Sequence, residues 1–134
     1  MLLSHTDILV IIAVVDIAIH GQERPVPAGD IAPRHSLPER YLEPMLRGLV
    51  GSGILTSKPG RRGGYQLARA PSLITVNDIL RAVRTTQEVA LRKVRSLIGR
   101  RVVIPALNDA QMAFSRGLQR ITIHDLVRSA ERAS

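Results

Sequence analysis

The chain has 134 residues, no cysteine, and a formal net charge of +8 with a pI near 11.4. This length is typical of one domain, and the lack of thiols excludes disulfides and cysteine-ligated metals and fits a reducing cytoplasm. Residues 1–70 hold eight basic and six acidic residues (+2), whereas residues 71–134 hold eleven and five (+6). The charge predicts a polyanionic partner, but charge alone does not separate DNA from RNA or an acidic membrane surface.

The first predicted element is a buried helix that begins after Ser4 and ends at Gly21. Asp7 follows Ser4 at the capping-box spacing. The apolar run 8–15 is eight residues long and is interrupted by Asp16, whereas a membrane span needs about twenty apolar residues. We therefore expect a central core helix that also contacts a partner subunit, in a cytoplasmic protein without a membrane segment.

Residues 28–35 are predicted to form the first helix of a helix-turn-helix. A proline in a helix interior costs about 3 kcal/mol, which makes Pro33 unfavourable unless it lies in the first turn. We therefore expect Asp30 to be the N-cap of a short helix that begins near Gly29.

The second helix of this motif is predicted over residues 38–52, with Pro38 in its first turn. Leu42, Met45, Leu46, Leu49 and Val50 form one apolar stripe. The opposite face carries Glu39, Arg40, Glu43 and Arg47. Pro44 lies in the interior and is expected to kink the helix.

Two short strands are predicted next, over residues 54–57 and 65–68. The turn between them is basic and rich in glycine, and it contains Lys58, Arg61, Arg62, Gly63 and Gly64. A polar-faced helix followed by such a hairpin is the order of a winged helix-turn-helix, which lays a helix in the DNA major groove and a basic wing beside it.

The outer residues of the helix and wing have the chemistry of DNA recognition. Arginine can bond guanine bidentately and glutamate can accept from cytosine, so Arg40, Arg47 and Glu43 are candidate base readers. Lys58, Arg61 and Arg62 are candidates for phosphate or minor-groove contacts. Glu39, Gly63 and Gly64 are further predicted DNA-binding residues. A solvated helix and hairpin is the alternative; the combination of the two features favours DNA binding.

The C-terminal half contains two similar segments, ITVNDIL at 74–80 and ITIHDLV at 121–127. In each, a threonine (Thr75, Thr122) is followed three residues later by an aspartate (Asp78, Asp125), as in a capping box. A shared capping solution explains the likeness better than a duplication does.

Residues 105–120 are predicted to form a long amphipathic helix. Apolar residues recur along it at spacings of three and four, which is typical of a helix–helix seam: Leu107, Ala110, Phe114, Leu118 and Ile121. The stripe predicts a homodimer, although it could instead close on the core of its own subunit.

No catalytic or metal site is predicted. The four histidines, His5, His20, His35 and His124, lack zinc-binding spacing. Ser4, Ser36, Ser52 and Ser57 have no nucleophile context. We therefore expect a protein that is not an enzyme and has no cofactor.

Specific motifs are similar to those of the IscR/NsrR-like family of bacterial winged helix-turn-helix transcriptional regulators. They are RYLE at 40–43, GGYQLAR at 63–69 and ITVNDILRAV at 74–83, with a further match over 118–127. The resemblance implies a fold that is mainly α with a small β-wing, and a homodimeric repressor that binds pseudo-palindromic double-stranded DNA. On the DNA-binding hypothesis, Tyr41 would support a phosphate.

In cluster-binding members of that family, three cysteines precede the long helix. The equivalent stretch here, about 88–105, has none, so the resemblance does not carry over an iron–sulfur cluster. The stretch is basic instead: Arg92, Lys93, Arg95, Arg100 and Arg101. Three interpretations stay open, in decreasing order of preference: a solvated face, a DNA-backbone contact, and a site for an anionic effector, for which nothing in the sequence shapes a pocket.

The expected organisation is a DNA-binding winged-helix domain over residues 1–84. Residues 85–134 would form a dimerisation or effector region that packs with the first helix rather than independently. Two alternatives to a DNA-binding regulator are a basic RNA-binding or ribosome-associated protein, and a winged-helix module that binds only proteins.

Overall fold

A computed structural model describes residues 3–84 and 93–133, which form six α-helices and one two-stranded sheet. The helices are α1 (His5–His20), α2 (Ala28–His35), α3 (Glu39–Gly51), α4 (Val76–Val83), α5 (Ile104–Gln119) and α6 (Ile123–Ala133). The strands are β1 (Leu55–Lys58) and β2 (Gly64–Leu67). A 3-10 turn, Pro71–Leu73, precedes α4, and a π-helical turn, Gly99–Val103, leads directly into α5. The expected fold, mainly helical with a small β-wing, is confirmed.

α1 is the central helix of the core, as its apolar sequence predicted. The Ser4–Asp7 capping box is present, because each backbone N–H donates to the other side chain, at 2.9 and 3.1 Å. Val10, Val14 and Ile17 are fully buried, and α1 packs against α2, α3, α4, β2 and α6. No helix in the described ranges is long and apolar enough to cross a membrane.

α2 covers the predicted residues but begins earlier than predicted. Its N-cap is Pro27, and the backbone N–H of Asp30 donates to the Pro27 carbonyl at 3.0 Å. The prediction of Asp30 as N-cap was therefore wrong, and Pro33 lies in the helix interior. The buried side chains of Ala28, Ile31 and Ala32 hold the helix on the core and offset the hydrogen bond lost at Pro33.

α3 is a continuous helix whose apolar side faces the core. Pro38 is its N-cap rather than part of its first turn, and its carbonyl accepts from the N–H groups of Tyr41 and Leu42 at 3.1 and 3.3 Å. Leu46 is fully buried, and Leu42 and Leu49 are each only 1% exposed. The helix runs through Pro44 to Gly51; the expected kink stays a prediction.

β1 and β2 form the predicted hairpin, each shifted by one residue from the predicted strands. They pair antiparallel, from Leu55 opposite Leu67 to Lys58 opposite Gly64. Val26 adds an isolated bridge to β2, exchanging backbone hydrogen bonds with Tyr65 at 2.8 and 2.9 Å. The connector between α1 and α2 is therefore attached to the base of the wing.

The two similar segments of the C-terminal half meet in the fold. Thr75 and Thr122 form an isolated antiparallel bridge, and both capping boxes are present, with backbone-to-side-chain bonds of 3.0 and 3.1 Å in each. The pairing joins the starts of α4 and α6, which places α6 against α1. The division into residues 1–84 and a C-terminal region that packs with the first helix stays a prediction.

α5 has a buried end and an exposed end. Leu118 is 8% exposed and packs with Val76 and Leu80 in a second core cluster, where Phe114 is partly buried. Both side chains thus contact the core of their own subunit; their part in dimerisation stays a prediction. Leu107 and Ala110 are exposed, and Ile121 lies beyond the end of the helix, which is Gln119.

Candidate nucleic-acid interface

The outer face of α3 consists of side chains that point away from the core. All five residues predicted to contact DNA from this helix are exposed: Glu39, Arg40, Tyr41, Glu43 and Arg47. The apolar stripe of the same helix is buried at Leu42, Leu46 and Leu49 and partly buried at Met45 and Val50. The period of the helix therefore separates a core-facing side from a polar, arginine-bearing side.

Four of these side chains line a shallow groove of about 440 Å³ together with Pro44: Glu39, Arg40, Glu43 and Arg47. The guanidinium carbon of Arg40 lies 5.4 Å from the centre of the Tyr41 ring, a cation–π contact. Within the described residues, neither Arg40 nor Arg47 has an ion-pair partner. Both guanidinium groups are therefore available to an external acceptor.

The hairpin turn presents three cations. Lys58, Arg61 and Arg62 are exposed and have no ion-pair partner in the part of the chain that the structure describes. Unpaired cations on a narrow hairpin favour contact with a polyanion.

Gly63 and Gly64 were also predicted at the interface, and the structure gives both a conformational role. A Cβ on Gly63 would overlap the carbonyl oxygen of Lys58, and one on Gly64 would overlap the backbone of Val26. Gly64 also has a φ of 145°, which side chains disfavour. Both glycines let the wing fold back closely on itself and on the connector; their contact with DNA stays a prediction.

The wing and the outer face of α3 are neighbours. α3 packs against β1, and the N–H of Ile54 donates to the Leu49 carbonyl at 3.0 Å. Burial raises the pKa of Tyr65 on β2, the charge of Glu43 raises it further, and the charge of Arg47 opposes both. Glu43 and Arg47 thus lie close enough to β2 for their charges to act on its tyrosine.

The buried carboxylate of Asp16 attaches α2 to α1, a contact that was not predicted from the sequence. Arg34 donates two hydrogen bonds to Asp16, both 2.9 Å long, and the His35 ring nitrogen lies 2.7 Å from the same carboxylate. Burial alone would raise the pKa of Asp16, but the bonds from Arg34 and His35 outweigh it, so this pKa lies below 3.8. The available signal was a lone acid interrupting an apolar run.

The basic stretch before α5 lies on the surface. Lys93, Arg95, Arg100 and Arg101 are exposed, and Arg92 lies outside the described residues. Across residues 3–84 and 93–133, no group of three or more histidine, aspartate or glutamate side chains is placed to hold a metal ion.

A family model described as "Rrf2: Iron-dependent Transcriptional regulator" matches residues 3–129. The chain belongs to the Rrf2 family. The match covers every described helix and both strands except the last four residues of α6.

Relatives within this family are identical to the chain at a third or more of the aligned positions. Protein rrf2 of Nitratidesulfovibrio vulgaris is 36% identical over 128 residues, which cover 86% of this chain and 79% of the relative. The regulator IscR of Aliivibrio salmonicida is 39% identical over 71 residues, which cover 53% of this chain and 42% of that protein. The chain thus aligns with less than half of IscR's length.

Solved structures extend the likeness to the whole fold. IscR of T. potens superposes with a TM-score of 0.78 at 30% identity. The superposition covers 100% of this chain and 91% of the IscR chain. CymR, the global cysteine regulator of B. subtilis, gives a TM-score of 0.72 at 26% identity, with 96% and 98% covered. The resemblance to IscR-type regulators is confirmed.

Membership makes this chain a DNA-binding transcriptional regulator rather than an enzyme. The family description names iron, but the residues present do not fit an iron–sulfur cluster. The sequence contains no cysteine, and thiolates are the usual cluster ligands.

Proposed function

We propose that this Rrf2-family chain is a homodimeric, sequence-specific repressor that reads DNA with the outer face of α3. The observation that carries the proposal is the juxtaposition of that face with the wing. Within the described residues, the arginines on α3 have no ion-pair partner and stand beside a hairpin whose cations have none either.

Base reading is assigned to Arg40, Glu43 and Arg47. In a major groove, the two arginines would bond guanine O6 and N7, and Glu43 would accept from a cytosine amino group. Tyr41 stacks beside Arg40 and would contact a phosphate. Glu39 lines the surface groove of α3 together with Arg40, Glu43 and Arg47.

Position along the duplex is assigned to the wing. Lys58, Arg61 and Arg62 would neutralise phosphates and release counterions. Such contacts carry little sequence information but fix the orientation of the reading helix.

Dimerisation is assigned to the exposed end of α5. Leu97, Ile98, Val102, Leu107 and Met112 are each more than half exposed. Leu107 and Met112 lie on α5, whereas the other three lie in the π-helical turn or just before it. Exposed apolar side chains grouped in this way favour a helix–helix interface between two copies. A two-fold dimer would present two α3 helices to half-sites about one helical turn apart, or a multiple of that distance.

No cofactor is proposed, because cluster ligands are lacking in the sequence. Since the proposed ligand is chromosomal DNA, the proposed site of action is the bacterial cytoplasm. The winged-helix fold and the family disfavour the RNA-binding and protein-binding alternatives.

The test is selection of genomic DNA fragments by the purified full chain. We expect enrichment of a pseudo-palindromic site whose half-sites face the same side of the duplex. Arg47→Ala should abolish the enrichment, whereas Arg132→Ala, at an exposed position on α6, should leave it intact. Recovery of fragments with no shared sequence, or preferential binding of single-stranded RNA, would contradict the proposal.

A further inference from the structure

A cavity of about 520 Å³ lies between the winged-helix part of the chain and α5. Its walls are formed by Ser52 and Ile54, by Arg69, by α4 and by the inner side of α5. The volume is typical of small-molecule sites. None of the residues assigned to DNA contact lines it.

Asn77 lines the cavity and is 5% exposed. Its amide forms no hydrogen bond within the described residues. Its polar atoms keep some access to solvent, since among the described residues the buried side-chain polar atom without a partner is the Nε of Arg84. The neighbours of Asn77 on α4, Val76 and Ile79, are buried in the core, so the side of Asn77 that is open to a new partner is the cavity.

Arg84 contributes a second unused donor. Its Nη2 donates to Asp7 at 2.8 Å, which holds the side chain in place. Its Nε is buried and has no partner in the described part of the chain. The guanidinium is thus fixed by one bond and has a further N–H to donate.

The charge of the cavity is positive. Arg69 and Arg81 line it and are exposed, without ion-pair partners in the described ranges. Asp78 also lines it, while its carboxylate caps α4. Three lining arginines against the carboxylates of Asp78 and of Asp7, which pairs with Arg84, leave a net charge of +1. Neutral donors and acceptors come from α5, through Asn108, Gln111 and Ser115.

We propose that this cavity binds a small anionic metabolite with a carboxylate or phosphate group. The acid group accepts hydrogen bonds from Asn77, Arg81 and Arg84, and the polar remainder of the ligand faces Gln111 on α5. The site is distinct from the basic stretch 93–101, none of which lines the cavity. A ligand there contacts both the helix that follows the wing and the helix assigned to dimerisation.

The experiment uses the full chain without DNA, so that its failure leaves the DNA proposal standing. Inorganic phosphate and succinate are titrated at constant ionic strength against sodium chloride. Binding is followed by calorimetry and by the NMR shift of the Asn77 side-chain amide. We expect a saturable response to at least one probe that chloride does not reproduce; the stronger response shows whether the group recognised is a phosphate or a carboxylate.

Variants separate this cavity from the DNA face. Arg81→Gln and Asn77→Leu should each weaken binding by about tenfold, the effect of losing one strong hydrogen bond. Arg47→Ala should bind as the parent does. Asn77→Leu replaces an amide that forms no hydrogen bond within the described residues, so its thermal midpoint should stay close to that of the parent. Arg81→Gln alters an exposed side chain and should also fold. No saturable response to either probe, or equal binding by Arg81→Gln, overturns the proposal.

Discussion

Arg34 binds the buried carboxylate of Asp16 through two parallel hydrogen bonds, Nε to Oδ2 and Nη2 to Oδ1, each 2.9 Å long. Asp16 belongs to α1 and Arg34 to α2, so the pair fixes the first helix of the helix-turn-helix on the central helix. α2 in turn packs against α3. The orientation of the proposed reading face therefore depends on a contact that never touches DNA.

Replacing Asp16 by Asn should destabilise the fold by about 2 kcal/mol, because the amide cannot accept both bonds from Arg34 and leaves part of a buried site unsatisfied. Chemical denaturation in urea measures the loss. Asp109→Asn is the control, since Asp109 is exposed on α5 and has no ion pair within the described residues. Equal stability of the two variants would show that the Asp16 contact does not hold α2 in place.

The same carboxylate makes stability depend on pH. The pKa of Asp16 is lowered below 3.8 in the folded chain, as is that of Asp7 beside Arg84. A depressed folded-state pKa means that the unfolded chain takes up protons first, so this stability is present above about pH 4 and is lost as the pH falls through the folded values. The free energy of unfolding should fall as the pH is lowered from about 6 to about 3, a range that includes the ordinary pKa of a carboxyl group. The fall should be smaller in Asp16→Asn; an identical pH dependence would contradict this account.

Gly64→Ala should destabilise the wing by roughly 1–3 kcal/mol, the usual cost of a strained backbone position. The new Cβ would overlap the backbone of Val26 at a φ of 145°. Gly48→Ala is the matched change, because Gly48 lies inside α3 with no atom within 4 Å of an added Cβ, and it should stabilise by about 0.5–1 kcal/mol. Thermal unfolding of both variants distinguishes them; a stabilising Gly64→Ala would be the contrary result.

Leu107→Glu should convert the proposed dimer into monomers, since it places a charge in an apolar helix–helix contact. Leu73→Glu is a close control: both leucines are 64% exposed, but Leu73 lies in the 3-10 turn before α4. Sedimentation equilibrium gives the masses. A Leu107→Glu chain that remains dimeric would move the interface away from this part of α5.

The sequence predicted those features that depend on neighbours in the chain. Ser4 and Asp7, or Thr75 and Asp78, lie three residues apart, so their capping follows from spacing alone. The α3 stripe and the basic hairpin are local patterns of the same kind.

Features that depend on distant residues were not predicted. Asp16 and Arg34 are 18 positions apart, and the Thr75–Thr122 bridge joins segments whose likeness gave no indication that they meet. The cavity needs Asn77 from α4 and Gln111 from α5 at once. The N-cap of α2 was misplaced because core burial, which the proline rule does not include, outweighs the cost of Pro33.

The central claim is that α3 reads bases while the wing contacts phosphates. It is tested most directly by measuring affinity against salt concentration for the selected site and a scrambled duplex. Arg61→Ala should weaken both and reduce the salt slope by about one unit, whereas Glu43→Ala should cost roughly 1–3 kcal/mol of preference for the selected site and keep the slope of the parent. Equal losses on both duplexes for Glu43→Ala, or an unchanged slope for Arg61→Ala, would contradict the account.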